Sequence, residues 1–215
     1  SEPIQDPSDN ITIEGLTDIV VVGNDNKTEW TATGQVASNA AGMANYSISV
    51  KDLTGNVATP VTSTTSINLD TESPSLNNVV LTTSNTNTSF AKSGDNLTLT
   101  FNASELIETP VVTLAGTNVD VQDTNSGAGT SWQATYTVQD GDNGTVAFSI
   151  QYQDQAGNTD DNVTTTDLDK LINIDTAKPS VIPSSVTIAS SNSVPAVQGL
   201  KLAKQDDSIT FDFDT

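Results

Sequence analysis

Histidine, cysteine and arginine are absent from this chain, and lysine occurs only seven times. Without cysteine no disulfide can staple the fold, and no thiol can act as nucleophile or metal ligand. Without histidine as well, a Ser–His–Asp or Cys–His device is impossible. Zinc and copper also lose their usual nitrogen and sulfur ligands. Twenty-seven acidic residues against seven lysines leave a formal net charge of −20. Nucleic acids and anionic membranes are bound by cations facing phosphates, so neither is an expected partner. No apolar run approaches the roughly 18 residues of a membrane helix, and no signal peptide is visible. Paired carboxylates could in principle cleave glycosides, but solvation or metal binding explains surface acids more simply. An enzyme is not expected.

What is present is a texture of Thr, Ser, Asn, Asp and Val that repeats itself. Trp30-Thr-Ala-Thr corresponds to Trp132-Gln-Ala-Thr, and Asp52-Leu-Thr-Gly-Asn56 to Asp154-Gln-Ala-Gly-Asn158, both at an offset of 102 residues. Asn68-Leu-Asp70-Thr-Glu-Ser-Pro74 corresponds to Asn173-Ile-Asp175-Thr-Ala-Lys-Pro179 at 105, and Asp207–Thr215 to Asp95–Ala103 at 112. The drifting offset means loops of different length between fixed strands, and a unit of about 105 residues suits one globular domain. The expected organisation is the back part of one module over residues 1–72, a complete module over 73–177, and the front part of a third over 178–215. The segment that would follow Thr215 matches the one that opens at Ser1. The expectation is therefore that the terminal fragments are completed head-to-tail by adjacent copies or repeats.

Within the middle module, alternation with a period near two predicts strands. They are expected over Leu76–Thr83, Asn96–Asn102, Val111–Ala115, Asn118–Gln122, Trp132–Val138, Thr145–Gln153 and Leu168–Ile174. Gly and Asn/Asp clusters punctuate them at Ser93–Asp95, Asn125–Gly129 and Asp140–Gly144. Seven short strands in about 105 residues predict an all-β chain of tandem immunoglobulin-like β-sandwich domains. The expected core comprises Leu97, Leu99, Phe101, Trp132, Ala134, Tyr136, Val146, Phe148 and Ile150. The Asp-Thr-x-x-Pro connectors at Asp70–Pro74 and Asp175–Pro179 are short, and proline stiffens them. That favours an extended rod with incomplete domains at both ends.

The succession Ser-Glu-x-Ile, Trp-x-Ala-Thr, Asp-x-x-Gly-Asn and Asp-Thr-x-x-Pro resembles the bacterial Ig-like tandem repeats of giant secreted surface adhesins. The resemblance extends over essentially the whole chain and rests on the fixed order of the motifs. It implies an extracellular repeat region at a bacterial cell surface, extending a stalk or filament that calcium often stiffens at the junctions. It does not imply a particular adhesive target.

In a sandwich of this kind, the loops after the second and sixth strands share an end with the incoming connector. For the middle module this would gather Asp70, Glu72, Glu105, Asp154 and Asn158. A second junction would take Asp175 from one copy with Glu2, Asp52 and Asn56 of the next. An all-oxygen donor set suits Ca²⁺, which takes six to eight such ligands. Turn chemistry accounts for the same residues individually: Asp154–Asn158 reads as a tight turn, and Asp70 and Asp175 could simply start turns before proline. Beside the stalk stands a binding module that grips a carbohydrate or protein through loops such as Asn125–Gly129. Exposed aromatics would favour it, and those loops carry none.

Overall fold

The protein is described as a computed structural model covering residues 2–65, 67–196 and 198–215. It is built of strands and turns, with two 3₁₀ turns at Ser8–Asn10 and Pro183–Ser185. Among the described residues, seven strands precede the first connector: β1 (Ile11–Ile13), β2 (Leu16–Gly23), β3 (Trp30–Val36), β4 (Gly42–Met43), β5 (Tyr46–Ile48), β6 (Val61–Thr62) and β7 (Asn68–Leu69). Ten lie between the connectors: β8 (Leu76–Thr83), β9 (Phe90–Ala91), β10 (Asn96–Ala103), β11 (Val111–Leu114), β12 (Thr117–Val119), β13 (Val121–Asp123), β14 (Ser131–Thr137), β15 (Asn143–Thr145), β16 (Phe148–Gln151) and β17 (Asn173–Asp175). Two follow, β18 (Thr187–Ser190) and β19 (Ile209–Asp212).

The middle unit carries the core. One sheet runs β13-β14-β10-β8, a second β12-β11-β16, and a third, smaller one β15-β17-β9. Because successive side chains point to opposite faces of a strand, β10 sends Leu97, Leu99, Phe101 and Ala103 inward and threonines and asparagines outward. They join Val79, Leu81, Val112, Leu114, Trp132, Ala134, Phe148 and Ile150 in one apolar cluster. Fully burying each large side chain is worth about 1.5–3 kcal/mol. The arrangement is all-β and consistent with a β-sandwich.

Three expected strands differ from those observed. Asn118–Gln122 is broken at Asp120, so that β12 joins β11 while β13 joins β14. Ala115 and Gly116, with φ of 50° and 77°, form the two-residue turn that folds β12 back on β11, as the twist of a hairpin requires. The chain then crosses to the other sheet. Thr145–Gln153 divides into β15 and β16, since Val146 donates its N–H to the Ile172 carbonyl at 2.8 Å. Leu168–Ile174 is mostly not a strand: Asp169 has φ of 48°, Leu168 and Leu171 are exposed, and only Ile172 is buried ahead of β17. Tyr136, expected in the core, packs against its margin, and its hydroxyl donates to Asp142 Oδ2 at 2.8 Å.

The flanking units reproduce parts of the middle one. Ile11 and Ile13 face Ile48 and Tyr46 as Val112 and Leu114 face Ile150 and Phe148. Trp30 Nε1 donates to Lys27 O at 3.2 Å, as Trp132 Nε1 does to Gly129 O. The β18–β19 hairpin has the register of β8–β10: Ile188 faces Phe211 where Leu81 faces Leu99, and Ser190 faces Ile209 where Thr83 faces Leu97. Burial does not follow the pairing. In the first unit Pro7, Ala40 and Leu69 are the buried apolar residues described, and no apolar residue of the hairpin is buried.

This asymmetry has a measurable consequence. Leu99→Ala should cost the middle unit about 2–5 kcal/mol, whereas Phe211→Ala in dilute protein should leave that unit's unfolding midpoint unchanged. Urea unfolding followed by Trp132 fluorescence, in a Trp30→Phe background, separates the two. Equal losses would show that the hairpin belongs to the same cooperative core.

Candidate metal centre

β10 and β16 deliver their following loops to one end of the middle unit, where the connector from β7 arrives. Ile107 and Asp154 form a β-bridge there, and Glu108 N donates to Gln153 O at 2.9 Å. Ser104 N donates to Ser75 O at 2.9 Å, and Ser75 N to Ser104 Oγ at 3.0 Å. These bonds fix the loop after β10 to the connector and to the loop after β16. One carboxylate oxygen from each of Asp70, Glu105 and Asp154 lies within 4.8 Å of the others.

Asp154 is buried yet held by local bonds. Its Oδ1 accepts the N–H groups of Ala156 and Asn158, each at 2.8 Å, and its Oδ2 accepts Asn158 Nδ2 at 2.7 Å. Gly157 closes the turn at φ of 91°, a conformation glycine adopts without the Cβ clash that other residues meet. Burial pulls this carboxyl's pKa upward, but the Asn158 amide and the backbone donors of Asn158, Ala156 and Gly157 outweigh it and lower the pKa. Asn158 Nδ2 also donates to the carbonyl of Asp70 at 3.1 Å, tying the connector to the turn.

Glu105 shows the opposite balance. Burial and then the negative charges of Asp70, Asp154 and Glu72 push its pKa above the ordinary value of 4.5. The ion pairs described, Lys92–Asp95 and Lys204–Asp207, involve none of these residues. Three like charges held this close favour a proton or a cation among them. The donors are hard oxygens, which suits a hard divalent ion and not a thiophilic one.

Five of the nine expected ligands therefore meet here: Asp70, Glu105 and Asp154 as the cluster, Asn158 bonded to two of them, and the exposed Glu72 close enough to act on Glu105. The other four lie elsewhere. Asp175 is exposed as the last residue of β17 and accepts Ala177 N at 2.9 Å, as Asp70 accepts Glu72 N at 3.1 Å. Asp52 and Asn56 repeat the Asp154 turn in the first unit: Asn56 N donates to Asp52 Oδ1 at 2.8 Å, Asn56 Nδ2 to Oδ2 at 2.6 Å, and Gly55 has φ of 97°. Ile4 bridges Asp52 as Ile107 bridges Asp154, so Glu2 occupies the place along the chain that Glu105 holds in the middle unit. The Asn56 side chain, the Thr54 hydroxyl and the Asn56 N–H together hold the Asp52 carboxyl down at about 2.

Two further devices were not anticipated from sequence. Thr71 Oγ1 donates to Ala40 O at 3.2 Å and Thr176 Oγ1 to Asp142 O at 3.0 Å, so each connector threonine grips the unit before it. The Lys92–Asp95 turn recurs at Lys204–Asp207, with the lysine N–H and ammonium both donating to the aspartate. The shared threonine of the Asp-Thr-x-x-Pro connectors and the Lys-x-x-Asp spacing were the available signals. No protein-family model matches the chain, and no curated protein matches it in sequence.

The strained carboxylates set the sign of a test. A carboxyl whose folded pKa is raised contributes stability below its unfolded value and loses it as pH rises through the folded value. Glu105→Gln should therefore raise the thermal midpoint in chelator at pH 7, and it should abolish any gain from added divalent cation. Thermal scans of both proteins with and without Ca²⁺ read both effects; a lowered midpoint in chelator would contradict the assignment. Asp52 has the reverse sign: its contribution is present above about 3.8 and disappears as pH falls through about 2. Carboxyl NMR titration should find Asp52 still ionised at pH 3, and protonation near 4 would contradict this.

Proposed function

We propose that the chain is a structural stalk or filament segment of a bacterial cell-surface protein, made of Ig-like repeats stiffened by Ca²⁺ at the domain junctions. The observation that carries this is the junction itself. Thr71 bonds backward to Ala40, while Asp70 and Ser73 are bonded forward to Asn158 and to the Thr159 carbonyl, the latter at 2.9 Å. A connector bonded on both sides and flanked by three carboxylates is suited to set the angle between modules. Sheet orders β8-β10-β14-β13 and β12-β11-β16 support the Ig-like assignment, in which the first four correspond to an A-B-E-D sheet. The high negative charge accords with a self-repelling extended polymer.

Ca²⁺ would be held by Asp70, Glu105 and Asp154, with Glu72 and the carbonyls of the connector nearby. It would supply charge neutralisation and a cross-link between connector and module. Extracellular sites bind at roughly 10⁻⁴–10⁻³ M. At about 1 mM free Ca²⁺ linkage then gives about 0.4–1.4 kcal/mol per site. That is too little to decide whether a module folds and enough to decide a junction's angle.

Small-angle scattering in Ca²⁺ and in chelator tests this, with circular dichroism alongside. The expected outcome is unchanged β-sheet content and a shorter or softer particle in chelator. Superimposable scattering profiles would overturn the calcium junction.

A further inference from the structure

We infer that the middle unit carries a binding cleft for a neutral saccharide beside β11 and β16. The cleft encloses about 470 Å³ and is lined by Glu108, Gln151, Tyr152, Gln153, Asp160 and Asn162. That volume lies within the range of small-ligand sites. It opens where the ladder gains a residue. Gln153 bridges Thr159 and Ile150 bridges Val163, so Asp160, Asp161 and Asn162 lie opposite Gln151 and Tyr152 alone. A bulge of this kind bends the strand and re-aims its side chains. Val111, 53% exposed on the same cleft, offers an apolar patch to the C–H face of a sugar ring.

The side chains on this bulge choose the ligand class. Gln153 Nε2 donates to Glu108 Oε2 at 2.6 Å, and Glu108 N donates to Gln153 O at 2.9 Å. The carboxylate is thereby fixed, with its Oε1 left to accept from a ligand. Asp161 N donates to Asp160 Oδ1 at 2.8 Å and leaves Oδ2 in the same state. Tyr152 is 7% exposed with its ring in the core, yet its hydroxyl makes no hydrogen bond among the described residues. Buried hydroxyls ordinarily have a partner. Burial, and then the charges of Asp160 and Asp161, raise its pKa, so it remains a donor at neutral pH. A fitting ligand therefore accepts from Tyr152 and from the Gln151 and Asn162 amides while donating to Glu108 and Asp160. Saccharide hydroxyls do both. An ammonium group only donates, and an anion would meet two carboxylates and no lysine in the lining.

The first unit repeats the bulge without this chemistry. Lys51 bridges Val57, Ile48 pairs with Val61, and Gln5 N donates to Lys51 O at 2.9 Å as Glu108 N does to Gln153 O. Yet Gln5, Val50, Lys51, Ala58 and Pro60 stand where the cleft has Glu108, Tyr152, Gln153, Asp160 and Asn162. The backbone form belongs to the repeat, and the donor and acceptor set belongs to the middle unit. The inference rests on neither the calcium junction nor the stalk reading.

Amide-detected NMR of the full chain in chelator, titrated separately with glucose, galactose, mannose and N-acetylglucosamine, tests it. Small-ligand efficiencies place a hexose at a Kd on the order of 1–10 mM. At least one sugar should shift Gln151–Gln153 and Asp160–Asn162 and leave Ser49–Lys51 and Ala58–Pro60 unmoved. Tyr152→Phe keeps the ring in the core and should weaken that binding about fivefold. Asp160→Ala, at an exposed position, should weaken it about tenfold without lowering the thermal midpoint. Asp140→Ala, on a different loop, should bind as the parent does, and neither glucuronate nor methylammonium should compete. No shift with any of the four sugars, equal shifts in the first unit, unchanged affinity in either cleft variant, or competition by methylammonium would overturn the inference.

Discussion

A sheet with one apolar face is stable only when that face is covered, and this requirement organises the whole chain. In the middle unit the β13-β14-β10-β8 sheet packs against β11 and β16, and Leu97, Leu99 and Phe101 fill the space between. The first unit presents equivalent strands with Ile13, Ile48 and Val36 facing a groove. The last segment presents the equivalent hairpin with both faces in solvent. The same apolar alternation thus yields a closed core in one place and two complementary open surfaces in others.

Local polar bonds do a different job. The Asp52 and Asp154 turns, the Lys92–Asp95 and Lys204–Asp207 turns, and the connector threonines satisfy backbone groups at loop ends. The four aspartate turns depend on residues a few positions apart, so they form whether or not the neighbouring core is complete. This explains why the open units keep the middle unit's registers. It also explains how the Asp154 carboxyl keeps a lowered pKa in a buried position, beside a Glu105 whose pKa is raised. Cohesion within a unit is apolar, and the joint between units is built from carboxylates and connector bonds.

Much of this could be read from residues in order. Alternation over Asn96–Asn102 and Trp132–Val138 marked strands and part of the core, because the inward residues there are apolar. The repeated Asp-x-x-Gly-Asn marked turns whose aspartate accepts two backbone donors. The chain's crossing at Asp120 was not legible, since Thr117–Asp123 alternates without interruption and only the Ala115-Gly116 turn betrays it. Leu168 and Leu171 fell within an expected strand, yet both are exposed, and ahead of β17 only Ile172 of that stretch is buried, where its carbonyl accepts the Val146 N–H. The convergence of Asp70, Glu105 and Asp154 followed from strand order, while the weight of each charge on Glu105 required their positions in space.

The central claim is that one hairpin covers one groove wherever this repeat closes. Amide hydrogen exchange tests it most directly. The account predicts slow exchange of Asn96–Ala103 and Ser131–Thr137. It predicts faster exchange of Trp30–Val36 and Ile209–Asp212, whose apolar residues are uncovered among the described residues. If Trp30–Val36 is as protected as Ser131–Thr137, apolar cover does not set the protection and the claim is contradicted.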